Sequence, residues 1–164
     1  MSIIKNFFLR DLLFVIILFF LDRITKLFII FYSKNSLNDL ILQTKYLDFY
    51  LIWNKGIAFG LLALDKIFFY NILSLIIFII LILILKFGLK ENGIRKYSFL
   101  MIFTGAIGNL FDRVFYGSVP DFIDFHINGF HWFIFNVADI FITIGVIFLI
   151  LTEFFEPTKK DKKL

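Results

Sequence analysis

Four aspartates, Asp112, Asp121, Asp124 and Asp139, stand in the stretches TGAIGNLFDR, VPDFIDFH and FNVAD between Thr104 and Asp139. The chain around them is mostly hydrocarbon, and a carboxylate at a bilayer centre costs on the order of 2.5–3.5 kcal/mol by insertion scales. Four acids held close together in such a chain point to chemistry. Asp121 follows Pro120 just beyond one apolar segment, and Asp139 opens the next. Both are therefore expected at one membrane face, on adjacent elements. Like charges at close range do not both ionise readily, so one pKa rises and the pair shares a proton. Such a pair activates water. Its ionised member takes a proton from water while the protonated member polarises a carbonyl. No metal, thiol or activated serine is needed. Asp139 also has a plainer reading as a favourable anion at a helix N-terminus, with Asn136 three residues earlier as its cap.

Other polar residues offer support or competition. Asp22 and Lys26 are spaced i,i+4 and share a helix face, which reads as an ion pair supporting the structure. Arg23 is expected to point elsewhere and snorkel to the outer headgroups. The run Asn54-Lys55-Gly56-Ile57-Ala58-Phe59-Gly60 suggests a turn. It is either an ordinary turn or a polar side chain with backbone amides that hold a peptide. Gly105 and Gly108 allow close helix packing in lipid. Asp112 shares a face with Gly108, beside Asn109, with Arg113 as a candidate charge partner. Asn109 and Arg113 read as a polar staple between helices, and Asp112 stands open between staple and catalyst. Asp121, Asp124 and His126 contain ligand types for a hard metal or zinc, with His131 nearby, but their spacing matches no zinc motif, and Asp124 is expected as a solvent-side acid with no assigned role. Ser118 has no Ser/Lys or Ser/His partner in the sequence. No metal or cofactor is expected.

These residues need elements to position them. The 164-residue chain is 60% hydrophobic and 18% charged, with 26 phenylalanines, against about 45–50% apolar and about 25% charged for soluble domains. A soluble fold of this size could not bury so much apolar surface. The absence of cysteine removes thiol nucleophiles, disulfides and thiolate metal sites. The net charge of +4 comes from scattered or membrane-flanking basic residues, so no nucleic-acid partner is expected. The terminal Lys159–Lys163 run reads as a solvated tail near anionic lipid. Four segments approach the roughly 20 residues that span a bilayer, at about 12–31, 67–85, 97–115 and 137–155. The first is too long for a signal-peptide core and lacks a small-x-small cleavage site, so it is read as retained. Basic residues at Lys5 and Arg10, at Lys86, Lys90, Arg95 and Lys96, and in the tail put both termini in the cytoplasm. The opposite face then holds an outer β segment at about 35–65, where Tyr46–Leu51 alternates like a strand. The expected fold is one integral membrane domain over residues 1–164, an all-α bundle of four transmembrane helices with a small extracytoplasmic sheet.

Five motifs occur in order along nearly the whole chain. They are Asp22-x-x-Thr25-Lys26, Asn54-x-Gly56-x-Ala58-Phe59, Gly105-Ala106-Ile107-Gly108-Asn109-x-x-Asp112-Arg113, Val119-Pro120-Asp121-Phe122 and Phe135-Asn136-Val137-Ala138-Asp139. Together they resemble bacterial lipoprotein signal peptidase, signal peptidase II. The resemblance implies an aspartic endopeptidase of the bacterial plasma membrane. It would cleave signal peptides from prolipoproteins just before a diacylglyceryl-modified cysteine. It further implies Asp121 and Asp139 as the catalytic pair. Asn54, Gly56, Gly108, Asn109, Asp112, Arg113, Asn136 and Ala138 would line or support the site, and Asp22 and Lys26 would be structural polar residues. Its partners would be lipidated prolipoproteins and membrane lipid, its state a monomer, and its inhibitor globomycin. Thr104, Arg23, Ile57, Pro120 and Ile140 depart from the family pattern, and none removes a carboxylate. Pro120 bears most directly on Asp121, because it restricts the local backbone and removes an amide donor. The alternative reading is a small transporter or proton-relay protein using its interfacial carboxylates. Against it, the second and fourth spans are almost purely apolar, and the acids gather toward one face.

Overall fold

The computed structural model describes residues 2–34, 40–56 and 67–155, without the side chains of 2–7 and 67–70. Parts of the expected outer β segment (35–39 and 57–66) and the lysine-rich tail lie outside the described residues. The element order is α1 (Ser2–Ser33), β1 (Leu40–Gln43), β2 (Leu47–Asn54), α2 (Ile67–Gly88), α3 (Gly93–Tyr116), β3 (Val119–Ile127), β4 (Phe130–Phe135) and α4 (Val137–Phe155). Three helical stretches, Asn71–Gly88, Gly93–Tyr116 and Val137–Phe155, are long and apolar enough to cross a membrane. At 32 residues and about 1.5 Å per residue, α1 has the length as well, but it carries Asp11, Asp22, Arg23 and Lys26.

The polar burden falls on α3. Half of its candidate span is buried inside the bundle, against 17% for α2 and for α4, and it packs against all three other helices. Glycines set its approach to α4. A Cβ on Gly105 would lie 2.3 Å from the Ala138 carbonyl oxygen, and one on Gly145 would lie 2.7 Å from the Ser98 carbonyl oxygen. At the opposite end of α3 from Asp112, Lys96 pairs with Asp11 of α1, and Arg95 reaches Glu153 of α4 at 3.0 Å.

The sheet is antiparallel in the order β1-β2-β3-β4. Only β1 and β2 fall inside the expected outer segment. The sequence reading left 116–136 without strands, yet it supplies β3 and β4. Their hairpin turns at Asn128-Gly129, with φ of 50° and 80°, the positive angles a two-residue hairpin turn requires. Gly117 ends α3 at φ 66° and donates its N–H to the Arg113 carbonyl, the left-handed helix stop, so β3 leaves α3 almost at once. Pro120 fits because β3 pairs with β4 only from Ile123 onward, while Val119 to Asp121 face β2 alone. A proline lacking its ladder donor is tolerated at such an edge.

The close α3–α4 contact sets a stability test. Gly105→Ala is expected to destabilise the protein by about 1–3 kcal/mol, the usual scale of overpacking. Val114→Ala, at an exposed position, should stay within about 0.5 kcal/mol. Thermal unfolding in detergent micelles compares the two.

Candidate active site

Asp121 sits in β3 at 4% exposure, and Asp139 sits half-buried in the first turn of α4. Both line one cavity of about 180 Å³, together with Asn54, Asn109, Arg113 and Thr143. Three asparagines serve the two acids. Asn54 Nδ2 donates to Asp121 Oδ2 at 2.8 Å, Asn136 Nδ2 to Asp121 Oδ1 at 2.5 Å, and Asn109 Nδ2 to Asp139 Oδ1 at 2.8 Å. The backbone N–H of Asn136 donates to Asp139 Oδ2 at 3.0 Å, while Asn136 Oδ1 accepts the N–H of Asp139 at 3.2 Å. Asn136, fully buried, thus caps α4 as expected and also bridges the two carboxylates.

Each amide orientation follows from what occupies its oxygen. Asn109 Oδ1 accepts from Lys26 Nζ at 2.8 Å, and Asn54 Oδ1 accepts the N–H of Gly56 at 2.8 Å. A lysine ammonium and a backbone N–H only donate, so each asparagine must present its NH2 end to an aspartate. The amide of Gly56 is therefore engaged within its own turn. Burial first, and then the charge of Asp139, push Asp121 up to about 6. The two asparagine donors and Lys26 offset part of that rise.

Behind the pair lies a buried charge cluster. Lys26 Nζ contacts Asp22 Oδ1 at 3.0 Å and Asp112 Oδ2 at 2.7 Å. Arg23 grips Asp112 with both terminal nitrogens, at 2.5 and 2.8 Å, reaches Asp22 Oδ2 at 2.6 Å, and donates to the Gly108 carbonyl at 3.2 Å. Asp22 Oδ1 accepts the N–H of Ala138 at 3.1 Å. Gly108 leaves room for this, since a Cβ there would lie 2.7 Å from Asp22 Oδ2.

Three expectations need correction. Arg23 does not snorkel. It is 8% exposed, because two carboxylates hold it inside and the Phe111 ring lies 4.9 Å from its guanidinium carbon. Asp112 takes its cations from α1 rather than from adjacent Arg113, which lines the cavity instead. There Arg113 donates to the carbonyls of Asn109 (3.2 Å) and Gly56 (3.0 Å), bracing the Asn54 turn. Asp124, expected as a solvent-side acid, is 1% exposed. It accepts from Tyr50 and His131 on the sheet face opposite Asp121, so Asp121, Asp124 and His126 do not converge. The Ser118 hydroxyl reaches only the Tyr116 carbonyl, at 3.5 Å. Sequence reasoning missed Arg23 as a member of the cluster. The signal was its place beside Asp22 and three residues before Lys26 on α1.

Helices of spanning length thus accompany a cavity lined by two amide-fed carboxylates. The sequence matches the family described as Signal peptidase (SPase) II over residues 14–155. It is 49% identical over 160 residues to the lipoprotein signal peptidase of Pelagibacter ubique, covering 98% of this chain and 96% of that protein. It is 43% identical over 121 residues to that of Francisella tularensis subsp. novicida, covering 71% and 74%. The fold is similar to a bacterial membrane enzyme solved by the in meso method at 2.3 Å resolution, with a TM-score of 0.75, 32% identity, and 94% and 93% of the two chains covered. The chain belongs to the signal peptidase II family, and its activity is the cleavage of lipoprotein signal peptides.

The charge cluster makes a measurable demand. Lys26→Met leaves Asp22 and Asp112 with Arg23 as their cation and releases the oxygen of Asn109. Breaking a buried pair costs about 3–5 kcal/mol, and a loss on that scale is expected in thermal unfolding. Arg95→Ala, which cuts a partly exposed pair, should cost about 0–1 kcal/mol.

Proposed function

We propose that Asp121 and Asp139 are the catalytic pair of an aspartic endopeptidase cutting just before a diacylglyceryl-modified cysteine. The observation that carries this reading is the shared cavity in which one residue, Asn136, hydrogen-bonds to both carboxylates. Asp121, with its pKa pushed up to about 6, is the member that holds the proton below that pH. Asp139 is assigned as the anion. It receives one side-chain and one backbone N–H at a helix N-terminus, where the dipole favours negative charge.

In the reaction, Asp139 takes a proton from water as the water oxygen bonds to the scissile carbonyl carbon. Asp121 gives its proton to the carbonyl oxygen. The proton on Asp139 then passes to the leaving nitrogen, the C–N bond breaks, and Asp121 recovers a proton as the new carboxylic acid forms. Positioning falls to Asn54, Asn109 and Asn136, with Arg113 holding the turn that carries Asn54. An apolar groove of about 370 Å³ lined by Phe125, Trp132, Phe135 and Ile144 runs up to Asp139. This supports lateral entry of an apolar signal helix whose acyl chains stay in the bilayer.

The wider reading is a single integral membrane domain of the bacterial inner membrane, a monomer with four spans, α1 being the fourth. The basic residues near the α2–α3 link favour cytoplasmic termini, and hence an outward-facing sheet and site.

Two outcomes test the pair. Asp121→Asn and Asp139→Asn should each lower signal-peptide release from a lipidated precursor by more than about 10³-fold, with unchanged unfolding profiles. Retained cleavage in either folded variant would sink the assignment. The second test is pH dependence. Since kcat/KM reports the free enzyme, it should fall as pH rises and Asp121 loses its proton, with a midpoint near 6. Asn54→Ala removes a donor that favours the ionised form, so the midpoint should move to higher pH.

A further inference from the structure

Asn54 reaches Asp121 only because β2 contains a bulge. Phe49 pairs with Ile123 and Ile52 with Asp121, so β2 spends three residues where β3 spends two. In a regular strand, residues an even number apart share a face. Asn54 would then lie on the face of Asp48 and Tyr50, away from Asp121. One inserted residue reverses the face, pairs Asn54 with Val119, and turns its amide to the carboxylate. A second bulge lies between β3 and β4. Asp124 pairs with Ile134 and His126 with His131, two residues of β3 against three of β4.

Both irregularities meet at one side chain. Asp124 Oδ2 accepts the hydroxyl of Tyr50, inside the β2 bulge, at 3.1 Å, and lies 2.7 Å from Nδ1 of His131, at the far end of the β4 bulge. Burial and Asp124 push Tyr50 up to about 12, which keeps its hydroxyl a donor. Alongside, His126 Nε2 lies 3.2 Å from Asp48 Oδ1, and the His126 and His131 rings are 5.1 Å apart. The titratable groups facing Asp124 are thus Asp48 and Tyr50 from β2, His126 from β3 and His131 from β4.

We propose that Asp124 is a positioning residue for the peptidase reaction: by tying Tyr50 and His131 it pins the two bulges, and through the first it aims Asn54 at Asp121. This rests on the assignment of Asp121 and Asp139 as the catalytic pair, and the test separates the two ideas. In the full-length enzyme in proteoliposomes, Tyr50→Phe and Asp124→Leu should each lower kcat about tenfold, the scale of one lost hydrogen bond to a charged group, with KM little changed. Each should also move the kcat/KM midpoint to higher pH, as Asn54→Ala does. Asp124→Asn, which keeps an acceptor for Tyr50, should restore most of the activity. Combining Asn54→Ala with Tyr50→Phe should be no worse than Asn54→Ala alone, since both act through one contact. If Asn54→Ala leaves the midpoint in place, the catalytic assignment fails. If Asn54→Ala moves it while Tyr50→Phe and Asp124→Leu lower only the unfolding temperature, the positioning role is overturned and Asp124 is merely structural.

Discussion

Two buried carboxylates stay together only if every amide near them points its hydrogens inward, and most of this structure follows from that constraint. An asparagine is indifferent to which end it offers until something claims its oxygen. Here Lys26 claims Asn109, the Gly56 N–H claims Asn54, and the Asp139 N–H claims Asn136. Each claim comes from a group that cannot accept, so the three NH2 ends have no alternative partner direction. Donors alone would favour two ionised acids. Burial and mutual repulsion work the other way at Asp121.

The buried cluster on α1 and α3 is the support for that arrangement. Two acids and two bases, Asp22, Asp112, Arg23 and Lys26, make it neutral as a unit, which is how buried charge is kept without a large desolvation penalty. Its outward contacts are few and directed. Lys26 sets Asn109, and Asp22 holds the amide of Ala138 at the start of α4. The glycines at 105 and 108 serve the same end, since any side chain there would push α4 or Asp22 away. Helix packing and amide orientation are therefore one problem solved at one place.

Much of this was legible in the residue order. The acids stood out by their cost in an apolar chain, Asp22 and Lys26 by helical spacing, and Asn136 by its distance from Asp139. The half of the sheet carrying Asp121 was not seen, although Asn128-Gly129 between apolar runs is a strong hairpin signal. The run of carboxylates and histidines drew a chemical reading there instead of a structural one. Arg23 was misjudged because position on a helical wheel says which way a stem leaves the backbone, not how far a long guanidinium bends back to reach two carboxylates. Asp124 was misjudged for a different reason. Its partners lie on β2 and β4, and strand pairing is invisible until the register is known.

The bulges set the deeper limit on what a residue pattern reveals. Alternation along β2 assigns Asn54 to the wrong face, because period two holds only while two strands advance together. One extra residue on β2 breaks that step and turns a support residue toward the acid it serves. A one-residue departure of this kind leaves no trace in composition or hydropathy. It is stabilised by a buried carboxylate whose own sequence context, three residues past Asp121, suggests a ligand or a spare acid. The strand VPDFIDFHI thus carries Asp121 on one face and the residue that holds its neighbouring strand in shape on the other. Chemistry and register share a strand because both need the backbone of β3 fixed to within a hydrogen bond's length.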